Sequence, residues 1–350
     1  MKIALITIWH EKNYGAELQA YATIAVLQQL GFQVEMIDIR LSDQNKKNLK
    51  NRLVNLIQYF TPSDHKFRQF WGKYIPITRR YRSLSDLQLN PPSADIYMVG
   101  SDQVWNPDIT KKFYPVYFLD FGSEKIKKVS YASSFGVLSW NHSDKTDKVI
   151  SLLKEFSHIS CREKSGVEII DKYFNLKANN VLDPTLLCDD YSQLIGSYVQ
   201  KNTLVYYPLS KDPQLESFAK DLGKELHMEP VNINKKTYLL RNIVWDRPGI
   251  GEWVKSIAES RFVITRSFHG LAFSLIFKKQ FAIIAVRNDR AIRVLDLLSL
   301  LGLENRFFSS VEDLKEKKPW ETPIDYNQVS HRLNELRTQS MDCLIKMLKS

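Results

Sequence analysis

Ile3-Ala4-Leu5-Ile6-Thr7-Ile8-Trp9, the polar loop His10-Glu11-Lys12-Asn13-Tyr14, the segment Gly15 to Leu30, Gly31 and Val34-Glu35-Met36-Ile37-Asp38-Ile39 form the stretch whose reading decides the fold. A near-continuous apolar run of this length suits a strand buried on both faces. Ala20, Ile24, Leu27 and Leu30 recur at helical spacing, so a helix is expected from about 15 to 30, stopped by Gly31. The second apolar run supplies the next strand. Strand, helix and strand in this order open a doubly wound parallel sheet.

The same alternation continues outward. Residues 42–90 are rich in Lys, Arg, Asn and aromatic residues and read as a helical insertion rather than sheet. Strands are expected at 96–99, 129–132, 158–161 and 181–182, with helices near 146–156 and 164–174. After Asp183-Pro184-Thr185 the order restarts, with strands at 203–208, 230–233, 262–265 and 281–286 and helices at 212–226, 251–260 and 269–278. A last helix, about 327–348, follows a proline-containing linker. The expected class is α/β, with two Rossmann-like domains (1–190 and 200–325) facing a cleft and a C-terminal helix over 326–350. Ligands in such sheets sit at the carboxyl ends of the strands.

Composition narrows the partners. The chain has 350 residues and a formal net charge of +10, which invites nucleic acid, an anionic membrane surface or an anionic substrate. Basic clusters at 45–50 and 79–82 come without a helix-turn-helix, zinc-finger or RNA-binding signature, so no nucleic-acid partner is expected. Peripheral contact of the segment 45–82 with anionic lipid is retained. No apolar run approaches the ~20 residues that span a bilayer, and the first residues lack a signal-peptide cleavage site. A cytoplasmic protein is expected, peripheral at the inner face of the membrane if it meets lipid at all. Cys161, Cys188 and Cys343 are widely spaced, which predicts free thiols and no metal site.

Four loops after strands carry candidate chemistry. Asn13, Tyr14 and Glu17 stand at the start of the first helix, where backbone N–H groups are free for an anion or hydroxyl. Gly100-Ser101-Asp102-Gln103-Val104-Trp105 sets a carboxylate beside an indole. That pair suits a sugar, or else Ser101 or Asp102 caps a helix and Trp105 belongs to the core. Arg162 ends a strand and could aim its fork at a carboxylate or phosphate, or serve as a salt-bridge partner. In Thr265-Arg266-Ser267-Phe268-His269-Gly270 an apolar strand ends and a helix begins, and a histidine there is placed for general acid work.

Together these segments resemble the polysaccharide pyruvyl transferase family. The resemblance rests on Asn13-Tyr14-Gly15-Ala16, Gly100-Ser101-Asp102-Gln103-Val104-Trp105, Tyr131-Ala132-Ser133-Ser134-Phe135-Gly136, Arg162-Glu163-Lys164-Ser165-Gly166, Asp183-Pro184-Thr185 and Ser267-Phe268-His269-Gly270-Leu271, in order over residues 1 to about 305. It implies a GT-B-like fold, phosphoenolpyruvate as donor, a glycan or lipid-linked saccharide as acceptor, and a pyruvate ketal as product. No cofactor is expected. It further implies His269 as general acid and Arg162 as a donor contact, with Arg266, Ser267 and Gly270 beside them; Asp102, ahead of Glu17, is the expected base. Asn13, Tyr14, Glu17, Ser101 and Trp105 are the expected acceptor contacts. Relatives with Arg-Leu-His carry an arginine where this chain has Ser267, and Arg266, Arg287, Arg290 or Arg293 could supply the missing charge. A sugar-nucleotide glycosyltransferase on the same architecture is the runner-up, and a non-catalytic binder of anionic glycans is the third reading.

Overall fold

The computed structural model describes residues 1–40, 49–285 and 291–349, with the side chains of 49–52 excluded. Arg287 and Arg290, two of the candidate donor contacts, lie outside the described residues, as does Asn45–Asn48 of the first basic cluster. The chain divides into two compact units. One comprises Met1–Lys47, Phe70–Cys188 and Glu335–Ser350, the other Asn48–Gln69 and Asp189–Asn334.

The first unit is built on a parallel sheet of six strands: β1 (Lys2–Ile6), β2 (Gln33–Asp38), β3 (Ile77–Arg80), β4 (Ile96–Val99), β5 (Lys127–Ser130) and β6 (Phe156–His158), in the order β3-β2-β1-β4-β5-β6. Two short parallel strands, β7 (Ser160–Cys161) and β8 (Asn179–Asn180), stand apart from it. Ile3, Ala4, Leu5 and Ile6 of the central β1 are fully buried, as the opening run predicts. The helix Tyr14–Gln29 is buried on nearly every face and packs on the short helix Pro184–Leu187. Its polar residues are therefore tied down: Gln19 Nε2 donates to Thr7 Oγ1 at 2.9 Å, Ile8 O at 2.9 Å and Ala16 O at 3.0 Å.

The segment 42–90 is not wholly helical. Helices Leu49–Tyr59, Pro62–Tyr74 and Leu84–Leu89 are present, but β3 lies among them as an edge strand. Its sequence Ile-Thr-Arg-Arg alternates exposed and half-buried residues, and an edge strand needs no apolar run because one of its sides meets solvent.

The second unit carries five parallel strands, β9 (Thr203–Tyr207), β10 (Glu229–Asn232), β13 (Phe262–Thr265), β14 (Gln280–Ile284) and β15 (Phe307–Phe308), in the order β10-β9-β13-β14-β15. Leu204, Tyr206, Phe262, Ile264, Ala282 and Ile284 pack with Leu215, Phe218 and Leu222 of the helix Pro213–Glu225 to form its core. A hairpin of β11 (Thr237–Leu240) and β12 (Ile243–Asp246), absent from the sequence reading, is antiparallel and separate from this sheet.

The last helix, Tyr326–Lys349, begins in the second unit and finishes in the first. Within the first unit the Leu182 N–H donates to Ser340 Oγ at 3.0 Å, Arg337 Nε donates to Leu186 O at 2.6 Å, and Leu344, Met347 and Leu348 are buried. No helix among the described residues is long and apolar enough to cross a membrane.

Candidate active site

In the second unit the strand β13 ends at Thr265 and the helix Phe268–Ile276 begins three residues later. Ser267 is the cap of that helix: its backbone is extended and its Oγ accepts from Gly270 N–H at 3.4 Å. Its own N–H donates to Thr265 Oγ1 at 3.0 Å. The serine that stands where some relatives place an arginine thus completes the turn. Gly270 is required by a close approach, because a Cβ there would lie 2.2 Å from Thr265 Oγ1. His269 occupies the first turn, buried, with its ring edge-on to Phe268. Arg266 turns toward the loop after β9, and its Nε and Nη2 both reach Asp212 Oδ2, at 2.9 and 2.8 Å. The other oxygen of Asp212 caps the helix Pro213–Glu225 through Leu215 N–H at 3.0 Å.

In the first unit the motif residues meet one another. Arg162 Nη1 lies 2.9 Å from Asp183 Oδ2 and 3.4 Å from Ser101 Oγ, Nη2 lies 3.2 Å from Asp102 Oδ1, and Nε lies 3.6 Å from Glu163 Oε2. Ser101 Oγ donates to Asp183 Oδ2, and Asp183 Oδ1 accepts from the N–H and hydroxyl of Thr185. Glu163 Oε1 accepts from Phe135 and Gly136 N–H. Beyond the ends of β4 and β5, bridges pair Asp102 with Ser133 and Ser133 with Cys161. Asp102 adopts the left-handed region, φ 71°, which costs energy in a residue other than glycine. The Arg162 side chain is 1% exposed, and its fork closes on carboxylates of its own chain.

The two alternatives for Trp105 resolve in favour of the core. It is 0% exposed, its Nε1 donates to Tyr117 O at 2.8 Å, and its ring stacks on Phe118. Ser101 and Tyr14 are also buried, and Asn13 caps the first helix by accepting from Gly15 and Ala16 N–H.

Glu17 is fully buried, and its carboxylate gathers the loop before it. It accepts from Trp71 Nε1 at 2.7 Å and from the N–H groups of His10, Glu11 and Lys12 at 3.4, 3.1 and 3.2 Å. His10 stacks on Trp71 at 3.7 Å between ring centroids, and its Nε2 accepts from Arg40 Nη1 at 2.8 Å. Burial, and then the Arg40 charge, lowers the His10 imidazole to about 3, so it is neutral near pH 7 and carries its proton on Nδ1. No sequence signal marks Trp71 or Arg40, which reach Glu17 and His10 from 54 and 30 positions away.

Burial pushes the Glu17 carboxyl up to about 7, against the opposing hydrogen bonds from Trp71 and the loop backbone. A carboxyl with a raised pKa in the folded protein contributes stability that is fully present below about 4.5, its ordinary value, and is lost as pH rises through about 7. Glu17→Gln should remove this slope. The check is the denaturation midpoint of both proteins between pH 4.5 and 7.5; parallel pH profiles would contradict the assignment.

Two parallel sheets, each opening polar side chains at its carboxyl ends, place the chain in the GT-B class of folds. Similar solved structures include the Methanocaldococcus jannaschii UDP-GlcNAc 2-epimerase in complex with UDP-GlcNAc and UDP, at 11% identity and TM-score 0.52, with 99% of each chain covered. The UDP-N-acetylglucosamine 2-epimerase from Rickettsia bellii is similar at 10% identity and TM-score 0.54, covering 99% of this chain and 96% of that one. At such identity the likeness is one of fold alone. No curated protein matches the chain in sequence. The family model for polysaccharide pyruvyl transferase matches residues 13–288, and the chain belongs to that family of transferases.

Proposed function

We propose that this protein transfers the enolpyruvyl group of phosphoenolpyruvate to a sugar of a surface polysaccharide, or of its lipid-linked precursor, forming a pyruvate ketal and releasing phosphate. The placement of His269, a buried imidazole in the first turn of a helix at the carboxyl end of an inner parallel strand, carries the reading. The methylene carbon of the donor must gain a proton before a sugar hydroxyl can add to the neighbouring carbon. Imidazole titrates in the range that task needs. The carbon–oxygen bond to phosphate then breaks, and a second hydroxyl closes the ketal. One hydroxyl proton replaces the one given to the methyl group, and the other leaves with phosphate. Asp102 is the better base of the two candidates, because its side chain is 17% exposed while Glu17 is 0% exposed and engaged by its own loop. This chemistry needs no cofactor.

Thermal unfolding with phosphoenolpyruvate, UDP-sugars and GDP-sugars tests the donor. Stabilisation by phosphoenolpyruvate is expected. Stabilisation by the nucleotides alone would replace the reading with a glycosyltransferase, and stabilisation by none with a non-catalytic glycan binder.

A further inference from the structure

The second unit contains a cavity of about 600 Å³ whose lining includes Asp212, the partner of Arg266. Its walls are the loop after β9, the end of β10 and residues 234–238. Asn234 Nδ2 donates to Pro208 O at 2.7 Å, so the two loops that form it are joined. Three lysines line it: Lys211, Lys235 and Lys236. Two acids also line it, but both are engaged, Asp212 by Arg266 at 2.8 Å and Glu216 by Lys220 at 2.8 Å. Among the described residues no carboxylate lies within ion-pair distance of the three lysines, although the Glu216 carboxylate feels the charges of Lys211 and Lys235. Burial, and then the Arg247 charge, lowers the Lys236 ammonium below its ordinary value, so that corner lacks a compensating anion.

The cavity adjoins an apolar surface of the same unit. Tyr238 lines it and belongs to β11, where Leu239 and Leu240 follow and Trp245 stands on the paired β12. The Gln58 amide bonds both backbone groups of Val244 in β12, each at 2.9 Å, which fastens the helix Leu49–Tyr59 to the hairpin. Leu53 and Leu56 of that helix, and Phe60 just after it, are exposed like the hairpin residues, between 46% and 74%. Solvent-facing leucines and aromatics on a hairpin and on the helix fastened to it suit a binding surface. A free phosphate accounts for the lysines and leaves the apolar residues unexplained; an apolar partner does the reverse.

We propose that the lysine cavity and the adjoining hairpin–helix surface bind a lipid bearing a terminal phosphate or diphosphate, with the head in the cavity and the chain on Tyr238, Leu240 and Leu56. This deepens the reading above by giving the acceptor's carrier a site, and rests on that reading only for the ligand's role in the reaction. Calorimetric titration of the full chain with farnesyl diphosphate and with inorganic diphosphate tests it. Farnesyl diphosphate should bind about tenfold tighter or more, the yield of covering two or three methylenes. Lys211→Gln with Lys235→Gln should weaken both ligands by about tenfold or more. Leu239→Ser with Leu240→Ser should weaken farnesyl diphosphate alone. All four positions are exposed, and unchanged unfolding midpoints serve as the folding control. Equal affinity for the two ligands, saturable binding of neither, or lysine variants with unchanged Kd would each overturn the proposal. Binding is read without turnover, so its failure and that of the pyruvyl reading are separate results.

Discussion

His269→Gln is expected to lower phosphate release from phosphoenolpyruvate by about two to four orders of magnitude, the usual worth of a positioned proton donor. The loss should fall on kcat, with the KM for phosphoenolpyruvate little changed, because the proton is needed only as the new carbon–hydrogen bond forms. Folding should survive. Glutamine is of similar size, the helix cap belongs to Ser267, and the close approach to Thr265 is made by Gly270. The pH profile supplies a second readout: the limb belonging to the essential acid should disappear in the variant. Full turnover by a folded His269→Gln protein would remove the histidine from the chemistry.

Arg162→Ala should act on stability first, costing about 3–5 kcal/mol, the range for a buried ion pair that loses one partner. The guanidinium is 1% exposed and sits among Asp183, Asp102 and Glu163, so its removal leaves buried carboxylates facing one another. Arg162→Lys should recover only part of the loss, since one ammonium cannot reproduce a fork that touches Asp183, Ser101 and Asp102 together. Arg162→Ala combined with Asp183→Asn should be less destabilising than the sum of the two changes. Denaturant midpoints decide the matter. A variant with the wild-type midpoint and only a raised KM for phosphoenolpyruvate would make Arg162 a donor contact rather than the centre of the network.

How far the sequence carries depends on the kind of signal each feature leaves. β1, β9 and β13 are legible because strands buried on both faces leave unbroken apolar runs. The turn at 265–270 is legible because strand end, capping serine, histidine and glycine fall within six consecutive residues. β3 escapes because an edge strand can be written in arginine and threonine. The hairpin 237–246 escapes because its residues are largely exposed and lack the alternation that marks a half-buried strand. Arg162 reads equally well as a ligand contact or an ion-pair member. Its partners Asp183, Ser101 and Asp102 are 21, 61 and 60 positions away, and only the folded chain brings them to one point. The three lysines of the cavity each look like an ordinary solvated charge until β9 and β10 are paired.

The helix Tyr326–Lys349 has a consequence for how the protein is made. The unit built on β1 also needs residues 335–349, whose Ser340 and Arg337 bond segments near 182–186 and whose Leu344 and Leu348 are buried in it. While the ribosome is still translating residues 189–334, that unit stands unfinished, with apolar surface open near the Pro184–Leu187 helix. The other unit needs only Asn48–Gln69 and Asp189–Asn334, so its last residue emerges before the first unit can close. The segments of this unit that precede residue 189 therefore cannot complete its packing until residues 335–349 have been translated, which departs from the customary order in which an N-terminal domain finishes first.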